Sequence, residues 1–348
     1  MKIIHFTMFA PNACGLYEAS RDMVVADRMA GHDSNVVDVG IYAGDNHIPG
    51  SPGKVDDRGA HKIISVDPEE AVDADVLIAH TGVPDPWIAW NQAPLIWVLH
   101  GRPLACFRPE QNGGRNSYSL IAGLAQKPRI KAMLSFWPHH SKYWEPIIPN
   151  EKLFCLVAPP IDEFRFSPYG DKHFFGIMGG DINVMVAESW REDVDIYEIT
   201  HGMIQAAKDH KGIKFHFYGM ETNVSAWNYL LDQLRNLGAL GEVWTRKPNI
   251  EEVYRAADIM LSPQRIVTRT VGEALSCGLP VIAAHGCEHA TFRTTPDEPE
   301  TVSDSINTAI TALKFNKDEV MRNVNHAAES FSLHKYSKAM NKLYEKIV

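Results

Sequence analysis

Three runs, ADVLIAH (residues 74–80), PLIWVLH (94–100) and IKAMLS (130–135), are apolar at nearly every position. A strand with one face in water would alternate apolar and polar residues, so runs like these belong to strands buried on both faces. Lys2 to Met8, Asn35 to Val39 and LFCLVAP (153–159) also read as strands. Between the first two, Leu16 to Ala30 places Leu16, Ala19, Met23, Ala26 and Ala30 on one helix face, and Gly31 closes that helix. Strands that alternate with helices in this way form an open parallel sheet with helices on both faces. The fold class is α/β.

The alternation breaks in APPIDEFRFSPYGDK (158–172), rich in proline and charge. It restarts with HFFGIMG (173–179), a helix around Ile196 to His210, IKFHFYG (213–219), GEVWTR (241–246), a helix from Ile250 to Ala257, and DIMLS (258–262). We therefore expect two Rossmann-like parallel-sheet domains, residues 1–160 and 170–331, with a C-terminal helix at about 332–348 available to pack back on the first. The start, MKIIHFTMFAPNAC, holds a His and meets Pro11, which favours a first strand over a signal peptide. No stretch approaches the ~18–20 apolar residues of a membrane span. Five cysteines without a C-x-x-C spacing fit free thiols in a reducing compartment, so a soluble, cytoplasmic protein is expected.

The segment VGEALSCGLPVIAA (271–284) carries the densest local information. Gly278 can take the left-handed conformation that ends a helix, Pro280 stops its continuation, and Val281 to Ala284 is a buried strand. Glu273 sits near the helix start. Thr270-Val-Gly-Glu273 fits a capping box, with Thr270 as the N-cap and Glu273 reaching back to it. The preceding loop, PQRIVTRT (263–270), brings Arg265 and Arg269 beside the backbone N–H groups of Thr270, Val271 and Gly272. A helix start with two arginines at a strand end suits a diphosphate; the competing reading is two ordinary solvated surface charges.

Together with EEVYRAADIMLSPQ (251–264), this segment resembles the donor-binding core of GT-B glycosyltransferases of the family 4 type. VAPPIDEFRFSP (157–168) is similar to that family's inter-domain segment. CGLYEASRDMVVADRMAGHD (14–33) resembles its N-terminal glycine loop and helix, and WVLHGRP (97–103) its strand that ends in His. The resemblance implies two domains facing a cleft, with a nucleotide-sugar in the second and most of the acceptor in the first. It implies retention of the anomeric configuration and no bound metal or other cofactor, with a UDP- or GDP-linked sugar as co-substrate. Retention without an obvious carboxylate nucleophile points to front-face attack, the donor phosphate helping to deprotonate the acceptor.

By the same resemblance, Glu273 binds the ribose hydroxyls, in competition with its capping role. Gly15 allows the backbone to approach a ligand at the first strand–helix turn, though a tight turn alone would also justify glycine. His100 contacts the transferred sugar; without the resemblance it reads as a structural histidine. Arg191, in ESWREDVD (188–195), binds the phosphates, although acids follow where the family has Lys. Glu188 and Asp193 in that loop would repel phosphate and are expected to point outward. Arg265 is the main departure, standing where the family has a Glu on the donor sugar. It either favours a sugar bearing a carboxylate or turns to the phosphates.

Other features have two readings. HGCEH (285–289) holds four potential metal ligands in five residues, but adjacent side chains seldom converge on one ion, and a loop after the strand is the simpler account. His139 and His140 read as a loop pair. Trp87, Trp90, Trp97, Trp137 and Trp144 serve either as stacking surfaces or as core. The acceptor is a hydroxyl on a saccharide, a small metabolite or a hydroxymethylated DNA base. The net charge of −9 does not favour DNA, despite Arg102, Arg108 and Arg115. A non-catalytic nucleotide or sugar binder on the same scaffold, motivated by Arg265, and a sugar-nucleotide epimerase are the alternatives.

Overall fold

A computed structural model describes the chain from Met1 to Val348 apart from residues 12–14, 44–45, 90, 101–116, 191–196, 221–224 and 265–266. It divides into two compact units, one of residues 1–162 with 331–348 and one of residues 163–330.

The first unit opens with β1 (Lys2–Thr7), α1 (Gly15–Met29) and β2 (Asp33–Asp38). A short antiparallel pair follows, β3 (Ile41–Ala43) with β4 (Asn46–Ile48), and then β5 (Val55–Asp56) and β6 (Ile63–Val66). Next come β7 (Val76–Ala79), α2 (Asp85–Ala89), β8 (Leu95–Leu99), α3 (Ser117–Gln126), β9 (Ile130–Phe136), α4 (Pro138–Trp144) and β10 (Leu153–Leu156). The sheet order is β10-β9-β8-β7-β1-β2-β6-β5, parallel except for the β5–β6 edge. Strands β7 and β8 are apolar throughout because helices or other core side chains cover both faces; all four residues of β7 are buried. The chain leaves β1 toward β2 and returns to place β7 on β1's other side. The switch point of this sheet therefore lies between β1 and β7, where open α/β sheets leave a crevice at the strands' carboxyl ends.

The second unit runs β11 (Ile182–Trp190), α5 (Tyr197–Asp209), β12 (Ile213–Met220), α6 (Ser225–Asn236), β13 (Leu240–Trp244), α7 (Ile250–Ala256) and β14 (Ile259–Leu261). It continues with α8 (Arg269–Ser276), β15 (Val281–Ala284), β16 (Phe292–Thr294), α9 (Glu300–Phe315) and α10 (Lys317–Ala328). Its sheet, β13-β12-β11-β14-β15-β16, is parallel, and its switch point lies between β11 and β14. The opening strand of this unit is INVMVAESW, not HFFGIMG. In the latter, Gly176 takes φ +55° within a one-turn 3-10 helix, and Phe174 and Ile177 are exposed rather than built into a sheet.

The C-terminal helix, α11 (Leu333–Ile347), packs on α1 in the first unit. Ser337 donates to the Ala26 carbonyl at 2.8 Å, and the Tyr344 hydroxyl donates to Asp27 at 3.0 Å. The Ile161 N–H meets the Phe331 carbonyl at 2.9 Å. A buried ion cluster lies beside that junction. The Arg21 guanidinium is fully buried, 2.7 Å from Asp162, 3.2 Å from Asp22 and 3.2 Å from Asp56, and Asp22 accepts the Asp162 N–H at 3.0 Å. Among the described residues no helix is long and apolar enough to cross a membrane.

Candidate functional site

Each sheet carries polar side chains at its switch point. In the second unit, α8 follows β14 directly, so its first turn stands at the carboxyl edge of the sheet. The helix starts at Arg269 with Thr268 as the extended N-cap, two residues before the Thr270 that a capping box would require there. Thr270 lies inside the first turn, and its hydroxyl pairs with that of Thr268 at 2.8 Å. Glu273 turns its carboxylate toward two side-chain donors. Its Oε1 accepts from Nε of Arg269 at 2.7 Å and its Oε2 from the Tyr254 hydroxyl of α7 at 3.2 Å. The capping box is thus replaced by an i, i+4 ion pair and a cross-helix hydrogen bond, because a carboxylate in the helix's second turn lies nearer those donors.

Glu273 as a whole residue is 7% exposed. Burial, with the negative charges of Glu273 and Glu188 among its further causes, holds the Tyr254 hydroxyl well above the ordinary tyrosine range. One carboxylate oxygen of Glu188 is buried, so this side chain adds to the negative field instead of pointing outward. The Arg269 guanidinium also lies 5.9 Å from the centre of the Phe166 ring. The first-turn N–H groups of α8, those of Thr270 and Val271 among them, have no carbonyl of their own helix to meet; the N–H of Gly272 is the first with an intrahelical acceptor within reach. The helix ends as its sequence requires. Gly278 takes φ +80°, its N–H bonds to the Leu275 carbonyl and that of Leu279 to the Ala274 carbonyl.

In the first unit, neighbouring strands β8, β7 and β1 bring three histidines together. His100 follows β8, His80 follows β7, and His5 lies within β1. Their rings pack at 5.1 Å and 5.2 Å between centroids, close to the separation of adjacent strands. Nε2 of His100 is 2.9 Å from Nδ1 of His80, Nε2 of His80 is 3.0 Å from Nδ1 of His5, and Nε2 of His5 is 2.9 Å from Asp27 of α1. Burial lowers the pKa of His100 to about 4 and that of His80 well below 6.5, the latter also through its two histidine neighbours, so both are neutral at pH 7.

Of the other residues singled out in the sequence, Gly15 is the first residue of α1, and a Cβ built there would meet no atom of the described residues within 4 Å. Arg191, Arg265, Asp193, Trp90 and the arginines Arg102, Arg108 and Arg115 lie outside the described residues, as does the side chain of His139. His140 stands on helix α4, buried, not in a loop. Trp144 belongs to the first unit's core, with Trp87 and Trp97 packed against it and Trp137 against Phe331. These four tryptophans serve as core. Cys287 is fully buried in the turn after β15, and burial pushes its thiol up to about 11. Among the described residues no three His, Cys, Asp or Glu side chains gather as metal ligands.

Residues 191–311 match the family described as glycosyl transferases group 1. No curated protein sequence matches the chain. Among solved structures, HepE of Anabaena in complex with UDP is 14% identical with a TM-score of 0.68, over 99% of this chain and 100% of that one. A glycosyltransferase from Rickettsia africae ESF-5 is 13% identical with a TM-score of 0.66, over 99% and 98%. An alpha-glucosyltransferase in complex with UDP-glucose and DNA containing an abasic site is 14% identical with a TM-score of 0.63, over 100% and 99%. At these identities the likeness is one of fold, that of the GT-B glycosyltransferases.

Proposed function

We propose that this chain of GT-B fold, whose residues 191–311 match the glycosyl transferases group 1 family, transfers a sugar from a UDP-linked donor to a hydroxyl acceptor with retention of configuration. The observation that carries the donor assignment is the buried carboxylate of Glu273 at the switch point of the second sheet, on the helix whose first turn supplies N–H groups at the same edge. A carboxylate suits the paired hydroxyls of a ribose. A helix start suits the diphosphate, whose charge grows as the glycosidic bond breaks. UDP is preferred to GDP because the Anabaena and alpha-glucosyltransferase structures of this fold hold UDP or UDP-glucose.

In this reading Glu273 takes the ribose, and the free N–H groups of Thr270 and Val271, with Gly272 beside them and Arg269, Arg191 and Arg265, take the phosphates without a metal. Gly15 admits the ligand close to the backbone, and His100 takes the transferred sugar. The leaving phosphate receives the acceptor's proton as the acceptor oxygen attacks from the same face. A DNA base is retained as one class of acceptor because a structure of this fold is bound to DNA; the net charge of −9 weighs for a saccharide or small metabolite.

A thermal-shift panel with UDP, GDP, ADP, CMP and their sugar conjugates tests the donor. A rise in Tm with uridine nucleotides alone is expected, since a ligand bound only by the native state stabilises it. A shift confined to another base overturns the UDP assignment. No shift with any nucleotide favours the reading of the chain as a non-catalytic protein on a GT-B scaffold.

A further inference from the structure

The row of three histidines is a relay with a direction. A neutral imidazole carries one N–H donor and one lone-pair acceptor, so each ring in a chain of hydrogen bonds must donate at one end and accept at the other. A carboxylate offers acceptors only, and Asp27 closes one end of the row. Its other oxygen already accepts the Tyr344 hydroxyl at 3.0 Å, and Ser34 donates to Oδ2 at 3.4 Å. With His5 neutral, its Nε2 carries the hydrogen it donates to Asp27, which leaves Nδ1 of His5 as an acceptor. Nε2 of His80 then donates to it, which leaves Nδ1 of His80 as an acceptor. Nε2 of His100 donates in turn, and Nδ1 of His100 remains with a lone pair. No described residue donates to that nitrogen.

We propose that Asp27 is a positioning residue which, through His5 and His80, fixes His100 as the Nε2–H tautomer and presents its Nδ1 as a hydrogen-bond acceptor for a sugar hydroxyl. Every link lies inside the first unit. His5 and Asp27 are fully or almost fully buried and His80 is 3% exposed, so solvent does not compete for the two inner bonds, Asp27–His5 and His5–His80. The strand order β8-β7-β1 puts the rings on adjacent strands, and α1 delivers Asp27 to the far end of the row. The relay makes His100 selective. A ligand group that donates, such as O–H, is welcomed; one that only accepts faces a lone pair against a lone pair. The identity of the ligand as a sugar rests on the proposed function, whereas the tautomer of His100 does not.

The test begins with the whole protein carrying 15N-histidine. Long-range 1H–15N correlation spectra distinguish a protonated from a bare ring nitrogen, and His100→Asn, His80→Asn and His5→Asn variants assign the signals. The expected result is a single tautomer for all three rings, protonated at Nε2. Protonation of His100 at Nδ1, or a mixture of tautomers, overturns the proposal without any appeal to activity. In Asp27→Asn the side-chain amide can donate as well as accept, and His100 is expected to become a mixture; an unchanged tautomer there removes Asp27 from the relay. The functional readout uses UDP-sugars in which one hydroxyl at a time is replaced by fluorine, an acceptor without a hydrogen. At one ring position KM rises about tenfold relative to the hydroxyl in the wild-type protein, and this discrimination shrinks in Asp27→Asn while affinity for UDP itself stays unchanged. The expected tautomers without turnover of any UDP-sugar would count against the proposed function and leave the relay standing. Turnover without fluorine discrimination at any position would overturn the acceptor role of His100.

Discussion

Nε of Arg269 stands 2.7 Å from Oε1 of Glu273, one turn further along α8, so the cation nearest the helix start is already paired with the carboxylate proposed to hold the ribose. Both side chains are mostly buried, at 13% and 9% exposure, which makes the pair stronger than a solvated surface contact. Donor binding must share these charges or open the pair. Glu273→Gln preserves volume and an acceptor for Tyr254, but withdraws the charge. We expect a stability loss of about 1 kcal/mol or less by urea unfolding, with at least a tenfold weaker affinity for uridine and UDP alike in calorimetric titration. Weakening confined to UDP would move Glu273's effect from the ribose to the phosphates through Arg269. An unchanged affinity for both would leave Glu273 as a purely structural partner of Arg269 and Tyr254.

Gly15 is expected to matter to a ligand and not to the fold. A Cβ at this position touches no atom of the described residues within 4 Å, so Gly15→Ala clashes with none of them, and alanine is the better helix former at the start of α1. The unfolding free energy should stay within about 0.5 kcal/mol of the parent or rise slightly. If the open side of Gly15 receives substrate, the methyl group intrudes there, and KM should rise several-fold with Tm unchanged. A parallel fall in Tm would show that the glycine serves the turn.

Some of this fold is legible in the sequence and some is not, for physical reasons that differ by element. Strands β7, β8 and β9 announce themselves because burial on both faces leaves no room for polar residues. HFFGIMG looks equally strand-like, yet its glycines permit a turn and its Phe174 and Ile177 face solvent; composition alone does not separate an exposed apolar turn from a strand. Helix α6 buries Trp227, Leu230 and Leu234 at a helical spacing that the sequence does display, although the expected elements did not include it. The T-x-x-E pattern at Thr270 is a true local match, but tertiary donors, Tyr254 above all, take Glu273 elsewhere. The partners of His100 are hidden for a different reason. His5 and His80 are single polar residues in or after apolar strands, and only the order β8-β7-β1, which is not the order of the chain, makes them neighbours.

Two of these histidines, His80 and His100, together with His216 of β12 in the second unit, set an acid limit on stability. Burial lowers His100 to about 4 and His216 to about 4, and it holds His80 well below 6.5, whereas each would titrate near 6.5 in the unfolded chain. Between those values the unfolded state binds more protons than the native state. Stability is therefore fully present above about pH 6.5, declines as the pH falls from there toward 4, and levels off with respect to these groups below their native pKa values. A loss on the order of 2–4 kcal/mol between pH 7 and pH 4.5 is expected from urea unfolding, after discounting for partial solvent access. His80→Asn should flatten the slope in that window. A slope that this substitution leaves unchanged would mean that His80 does not enter the native state as a neutral, desolvated ring. Asp56, held at about 2 by Arg58 and Arg21 despite its burial, contributes its own loss only below about pH 4.

Arg21 should prove the most costly single residue to remove from the first unit. Its guanidinium is enclosed with the carboxylates of Asp22, Asp56 and Asp162, and it also donates to the carbonyls of Arg58 and His61. Arg58 neutralises part of this charge through Asp56, and the Asp162 carboxylate has the Arg21 guanidinium at 2.7 Å. Arg21→Ala withdraws the guanidinium from three buried carboxylates and a donor from two main-chain carbonyls, a situation that costs roughly 3–5 kcal/mol. Arg21→Lys restores the charge but not the five-donor fork, and should recover only part of that. Asp162→Asn keeps an acceptor of the same shape and leaves Arg21 with Asp22 and Asp56, so a smaller loss of about 1–2 kcal/mol is expected. The order Ala, Lys, Asn in decreasing damage, read by chemical unfolding at pH 7, follows if the cost of stranding desolvated charges outweighs the loss of any one contact. Equal losses for Arg21→Ala and Asp162→Asn would instead place most of the energy in the single Arg21–Asp162 contact.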